Sequence, residues 1–377
     1  MDGGDRRLCN VLDYENYAKE KLNDFAWVYY SSGVNRQQTI HDSRLAFQRY
    51  RFRPRVLRDV STINLTTSVL GEPIAIPFCI GPTASHAFAN YGKEIATGKA
   101  ADETNTLMVL SSSSMTRIEE LRNQVPKGLF WMQTYLFKDK RVTLSNIRRA
   151  EAANFKALVV TIDSSGLGQN PVYSEYRWEL EKLRESPNLR LVNYDNDFLV
   201  ASPEDKLLTG YATEQINGSS SSLDDVKWLR SVTKLPIILK GILNSSVAKK
   251  AAESGLADGI LVSAHGGRQL DGVPAPIEVL QEIVEAVRGT GVEVYMDGGI
   301  RTGTDILKAL SLGARAVFLG RPVIWGLSVN GKDGVSHVLQ ILKQELTLAM
   351  KLCGISSLQD CNPSLLVHEG SYLPSNL

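Results

Sequence analysis

A chain of 377 residues in which 42 Lys and Arg stand against 41 Asp and Glu lacks the basic footprint that nucleic acid or an anionic membrane surface selects. No apolar run nears bilayer length, and the polar start Met1-Asp2-Gly3-Gly4-Asp5 is neither a signal nor a transit peptide. Cys9, Cys79, Cys353 and Cys361 have no C-x-x-C spacing, which excludes a zinc or disulfide framework and implies an intracellular protein without a structural metal.

Residues 1–70 read as a helical prelude, with one helix over 14–30 and Arg51-Phe52-Arg53-Pro54-Arg55 closing it. From Pro73 onward, short apolar runs alternate with amphipathic stretches. The runs cover 74–80, 107–110, 129–133, 158–162, 236–240, 260–263, 292–296 and 316–319. In Gly259-Ile260-Leu261-Val262 both faces are apolar, as in a fully buried parallel strand. Helices are expected over 92–103, 117–124, 141–154, 223–233, 245–255, 276–289, 303–313 and 332–352. Eight strand-then-helix units in about 250 residues predict an α/β fold, the (β/α)8 TIM barrel. A doubly wound sheet would carry a Gly-rich turn after its first strand, and Gly81-Pro82-Thr83-Ala84 is not one. The whole of 1–377 reads as one domain, with the barrel over 71–352, a polar insertion over 164–222 and a tail over 353–377. A long insertion on the catalytic face of a barrel reads as an active-site lid.

In this fold the active site gathers at the carboxyl ends of the strands. Strand six runs into Ser263-Ala264-His265-Gly266-Gly267-Arg268, placing an imidazole and a guanidinium in one crevice, where one takes a proton while the other holds a carboxylate. Strand seven ends in Asp297-Gly298-Gly299-Ile300-Arg301 and strand eight in Gly320-Arg321-Pro322. Paired glycines, a helix N-terminus and two arginines suit a phosphate, in the loops where this fold usually binds one. No G-x-x-x-x-G-K-[ST] and no G-x-G-x-x-G occurs, which argues against a nucleoside triphosphate in a P-loop.

The remaining strand ends suit a flat ring. Ser111, Gln133, Thr161 and the Pro82-Thr83-Ala84 backbone offer hydrogen bonds to ring amide edges. Lys240, at the end of strand five, is either a snorkelling lysine or a group that stabilises negative charge on a reduced ring. Asp163 either caps a loop or orients His265 and stabilises its imidazolium.

Together these residues resemble the FMN-dependent α-hydroxy-acid oxidase and dehydrogenase family, which includes glycolate, long-chain hydroxy-acid and lactate oxidases. The resemblance runs from Tyr14 to the last helix, through Tyr29-Tyr30-Ser31-Ser32-Gly33, Pro82-Thr83-Ala84, Gln133-Thr134-Tyr135, Thr161-Ile162-Asp163, Leu239-Lys240-Gly241, Ser263 to Gly272 and both phosphate loops. The stretch from Glu293 to Gly299 and that from Gly320 to Gly326 look most like the animal enzymes. The resemblance implies FMN and the oxidation of a 2-hydroxy acid to a 2-oxo acid. His265 would remove a proton from the α-carbon or the hydroxyl, and Asp163 would pair with it. Arg268 would bind the substrate carboxylate with Tyr29, Tyr135 would contact the substrate oxygen, and Lys240 would stand at the ring's N1/O2 edge. No haem-binding domain precedes the barrel, so oxygen is the expected acceptor, giving peroxide. The resemblance also implies a homo-oligomer, a tetramer. A dehydrogenase using another acceptor and a flavin-binding protein without turnover are the alternatives.

The chain departs from the family pattern at three places. Ala264 stands where the family has Asn beside the base. Gly166-Leu167-Gly168-Gln169-Asn170-Pro171 lacks the family's arginines, the next being Arg177. The following stretch carries Tyr173, Tyr176, Trp178, Glu179 and Glu181, unlike the family's usual lid. The final Ser375-Asn376-Leu377 resembles a peroxisomal address with its basic centre replaced.

Overall fold

A computed structural model of the chain describes residues 8–164, 191–194 and 222–372. The apolar runs close into a barrel of eight parallel strands. These are β1 (Phe78–Ile80), β2 (Leu107–Leu110), β3 (Leu129–Tyr135), β4 (Leu158–Thr161), β5 (Ile237–Ile242), β6 (Gly259–Val262), β7 (Glu293–Asp297) and β8 (Val317–Leu319). Each strand pairs with its neighbour in sequence, and β8 returns to β1 with Val317 opposite Phe78. Three helices precede the barrel: α1 (Val11–Lys21), α2 (Asp24–Ser31) and α3 (Gln38–Leu45). Around it lie α4 (Lys93–Glu103), α5 (Ile118–Gln124), α6 (Lys140–Ala152), α7 (Leu223–Val232), α8 (Ser245–Glu253), α9 (Pro276–Ala286), α10 (Gly303–Ser311) and α11 (Arg321–Leu352).

Side chains alternate across a strand, and here the alternation sorts the core in two. Cys79, Val109, Trp131, Val159, Ile238, Leu261, Tyr295 and Phe318 pack against one another inside the barrel. Their neighbours, among them Met108, Met132, Val160, Leu239, Val262 and Met296, join the larger core under the helices. Trp131, Tyr295 and Phe318 form an aromatic plug, with ring centroids 5.6–5.9 Å apart.

Four sequence expectations need amending. The run over 74–80 divides: Ile74 pairs with Thr67 in a small antiparallel ribbon, because Leu70 and Gly71 both take positive φ and make the tight turn a two-residue hairpin requires. The single helix over 14–30 is two, since the Asn23 side chain accepts from the Ala26 N–H at 2.8 Å and starts α2. The last helix begins at Arg321 rather than near 332 and breaks at Asn330 and Gly331, where the backbones of Gly326 and Gly334 touch. Finally, the stretch after α11 folds back, with Leu366–His368 antiparallel to Tyr50–Phe52.

Among the described residues no helix is long and apolar enough to cross a membrane. Most of the insertion, including Gln169, Asn170, Arg177 and the aromatic residues after it, lies outside the described residues, as does Ser375-Asn376-Leu377.

Candidate active site

The period of two that places Trp131 inside the barrel places Gln133 directly above it on the same face. The same step leads from Val109 to Ser111, Val159 to Thr161, Ile238 to Lys240, Leu261 to Ser263 and Tyr295 to Asp297. A dry plug is thus topped by a polar layer, and its members bond across strands. Gln133 donates from Nε2 to Thr161 Oγ1 at 3.0 Å and accepts from Ser111 Oγ at 3.3 Å. Lys240, only 4% exposed, donates to Ser263 Oγ at 3.0 Å and stands 3.6 Å from Asp297 Oδ2.

Past β6 the chain reverses through three consecutive residues with positive φ: His265 (52°), Gly266 (64°) and Gly267 (73°). The left-handed conformation is uncommon for a residue with a side chain and clusters at functional sites. It is held by the His265 N–H donating to Ser263 Oγ at 3.0 Å. The reversal brings His265 Nδ1 to 2.8 Å from Asp163 Oδ1, at the end of β4. Burial pushes the Asp163 carboxyl up, but the charge and hydrogen bond of His265, with the charge of Lys240, more than offset this and hold it below the usual range. An ionised carboxylate takes Nδ1–H as its donor, so the Nε2 lone pair is left to accept a proton. Asp163 is therefore placed to orient the histidine.

Arg268 donates from Nη1 to the Tyr29 carbonyl at 2.6 Å and lies 5.2 Å from the centre of the Tyr29 ring. That ring is braced by Phe88 at 5.2 Å and Tyr30 at 5.0 Å. Tyr135, half-buried at the end of β3, has its ring 5.8 Å from Phe137. The prelude thus supplies one wall of the mouth.

The glycine-rich loops divide their work. A Cβ on Gly299 would lie 1.9 Å from the Ser43 carbonyl oxygen, so that glycine serves the close approach of α3. A Cβ on Gly320 would have, among the described residues, only Thr83 Oγ1 within 4 Å, at 3.8 Å, and the N-terminus of α11 begins there. Pro82, Thr83 and Ala84 are half-buried beside it. Arg321 donates from Nε to the Tyr30 carbonyl (2.8 Å) and from Nη2 to those of Ser32 and Gly266 (both 3.0 Å). Arg301 ion-pairs with Glu15 at 3.6 Å, while Arg44 also bonds Glu15. Burial, and then the neighbouring Arg44, lower Arg301 to about 10. Arg321 is lowered too, by burial and then by Arg301, Arg268 and Arg44. The guanidiniums of Arg44, Arg268, Arg301 and Arg321 outnumber the carboxylates of Glu15 and Asp305 beside them, which leaves positive charge for an anion.

The residues fit a planar, hydroxylated, phosphorylated group. Asp297 Oδ1 is buried with no hydrogen-bond partner among the described residues, a cost that a hydroxyl donor would remove. Sequence reasoning did not single out Ser112, Asn193, Tyr194, Glu15 or Arg44, none of which carries a local signal; it named Gly241 only as part of Leu239-Lys240-Gly241.

A family model described as FMN-dependent dehydrogenase matches residues 18–368. The chain is 45% identical over 365 residues to 2-hydroxyacid oxidase 1 of Mus musculus, covering 96% of each. It is 44% identical over 360 residues to L-lactate oxidase of Nostoc sp., covering 95% of this chain and 97% of that one. A soluble mutant of the membrane-associated (S)-mandelate dehydrogenase from Pseudomonas putida is similar in structure, with a TM-score of 0.87 at 31% identity over 96% of this chain and 100% of that one.

Proposed function

Because the chain belongs to the FMN-dependent dehydrogenase family, we propose that it oxidises a 2-hydroxy acid to the 2-oxo acid with oxygen as electron acceptor and hydrogen peroxide as co-product. The observation that carries this reading is the His265–Asp163 pair at 2.8 Å, set in one mouth with Arg268. Arg268 binds the substrate carboxylate, its guanidinium held by the Tyr29 carbonyl and ring, and the Tyr29 hydroxyl assists. Tyr135 contacts the substrate oxygen. His265 Nε2 takes the proton released from the substrate's HC–OH unit, and Asp163 stabilises the imidazolium that results.

FMN would supply the two-electron redox chemistry, with oxygen as the final acceptor. Pro82, Thr83, Ala84, Ser111, Gln133 and Thr161 would hold its ring, and Lys240, kept in place by Ser263, would provide positive charge there. Asp297 would accept from one of its hydroxyls. Gly298, Gly299, Gly320, Arg301 and Arg321 would form the phosphate end.

Support for oxygen comes from relatives named oxidases at 44–45% identity. The likeness to a mandelate dehydrogenase favours a second reading, a non-oxygen acceptor. Anaerobic bleaching of the flavin by 2-hydroxy acids from glycolate to long chains, followed by stopped-flow reoxidation in air, tests both steps. No bleaching rejects the oxidation, and slow reoxidation rejects oxygen. We also infer a homotetramer, to be checked by light scattering, and a peroxisomal address in Ser375-Asn376-Leu377, to be checked by deleting it and following localisation.

A further inference from the structure

Between β4 and α7 the described residues include Leu191-Val192-Asn193-Tyr194, packed against the barrel. Asn193 is fully buried and uses both ends of its amide. Its Nδ2 donates to Ser114 Oγ (2.7 Å) and the Thr116 carbonyl (3.0 Å), while Oδ1 accepts from the Ile118 N–H (3.2 Å) and Arg149 Nη2 (3.0 Å). Four bonds on one side chain fix the backbone there. The next residue, Tyr194, packs its ring with Met115, Phe137 and Val142 and brings its hydroxyl to 2.9 Å from both Ser112 Oγ and Ser113 Oγ.

The Gln133 carboxamide meets the same loop. Its Oε1 accepts from the Ser112 backbone N–H at 3.1 Å, a group that can only donate, so oxygen and not nitrogen faces the loop after β2. Ser112 Oγ donates to the same oxygen at 3.3 Å. Having given away its single proton, that hydroxyl accepts from Tyr194, whose own oxygen then accepts from Ser113. The donors run in one direction, Ser113 to Tyr194 to Ser112 to Gln133, and each polarises the next. Burial raises the Tyr194 hydroxyl to about 12, so it stays protonated as this chain needs. With its oxygen so occupied, Gln133 turns its NH2 toward Thr161 and the barrel mouth. Thr161 takes one hydrogen and the second remains for an acceptor.

We infer that Tyr194 is a positioning residue for the cofactor: acting through Ser112, it holds the Gln133 carboxamide in the orientation that presents an N–H to the flavin ring. This rests on the reading of Gln133 as an FMN contact.

The test is the dissociation constant of FMN, measured from the recovery of flavin fluorescence on diluting the holoenzyme. Tyr194→Phe keeps the ring and removes only the hydroxyl, and should raise the constant roughly three- to tenfold, the loss of about one buried hydrogen bond. Ser112→Ala cuts the same relay at its other end, should act to a similar extent, and carries the test if the Phe variant does not fold. In a Gln133→Ala background, Tyr194→Phe should change the constant by less than about twofold, because coupled residues are not additive. The inference is overturned if Tyr194→Phe and Ser112→Ala both bind FMN as tightly as the parent. It is equally overturned if the Tyr194→Phe effect keeps its full size without Gln133, which would mark a role in folding alone. If Gln133→Ala itself binds FMN unchanged, the assignment of Gln133 to the cofactor fails first.

Discussion

A methyl group on Gly241 would lie 2.5 Å from Cγ of Asp163. The Asp163 carboxylate thus rests directly on the β5 backbone, and the bare α-carbon at 241, with φ of 105°, is what admits it. Gly241→Ala should push Asp163 away from His265 without touching the substrate. We expect kcat to fall about 100-fold, toward the size of a positioned acid–base contribution, with about 1–3 kcal/mol of stability lost to backbone strain. Steady-state kinetics on FMN-loaded protein and a thermal melt check the two parts, and an unchanged kcat would contradict the link between this glycine and the base.

His265→Gln removes the proposed proton acceptor while leaving the polar layer below it. The variant should remain yellow, with FMN content near that of the parent, while turnover drops by roughly 1000-fold. Absorbance at the flavin band and oxygen uptake measure the two quantities. Normal turnover would remove His265 from the mechanism.

Arg268→Lys keeps a positive charge but loses the planar fork. The Tyr29 carbonyl occupies one donor of the guanidinium, and the others remain for a carboxylate. A lysine cannot replace that geometry, so KM should rise at least about tenfold, with a smaller change in kcat. A KM within twofold of the parent would show that the carboxylate is held elsewhere.

His86 offers a pH signature away from the chemistry. It is buried, with Nδ1 3.1 Å from Thr97 Oγ1, while its backbone N–H donates to the buried Glu94 Oε1 at 3.2 Å. Burial lowers its pKa from 6.5, against the raising effect of Glu94. As pH falls, the unfolded chain therefore binds this proton before the folded one does. The stabilisation is complete above about 6.5 and declines as pH drops below it, until the buried ring itself protonates. Melts from pH 7.5 to 5 should show a falling Tm, with a shallower slope in His86→Gln. Equal slopes in the two proteins would assign the loss to other groups.

What could be read from residues alone followed short-range rules. Apolar runs such as Leu158-Val159-Val160 and the chemistry just beyond them, Asp163 and His265 among it, are local patterns, and they landed on the barrel mouth. What stayed hidden depends on distant approach. Nothing near Arg321 announces that its guanidinium will bond Tyr30 and Ser32, nearly 300 positions earlier. Likewise, nothing near Gly299 announces that its α-carbon will lie against Ser43. The break between α1 and α2 was legible in principle, since Asn23 is a good N-cap, but the apolar pattern runs on through it and masked the signal.

The rings of Trp131, Tyr295 and Phe318, set edge-to-face or tilted, have a consequence for traffic. They fill the barrel axis beneath the mouth, so on the proposed reading an acid would both enter and leave on the carboxyl-end side of the strands.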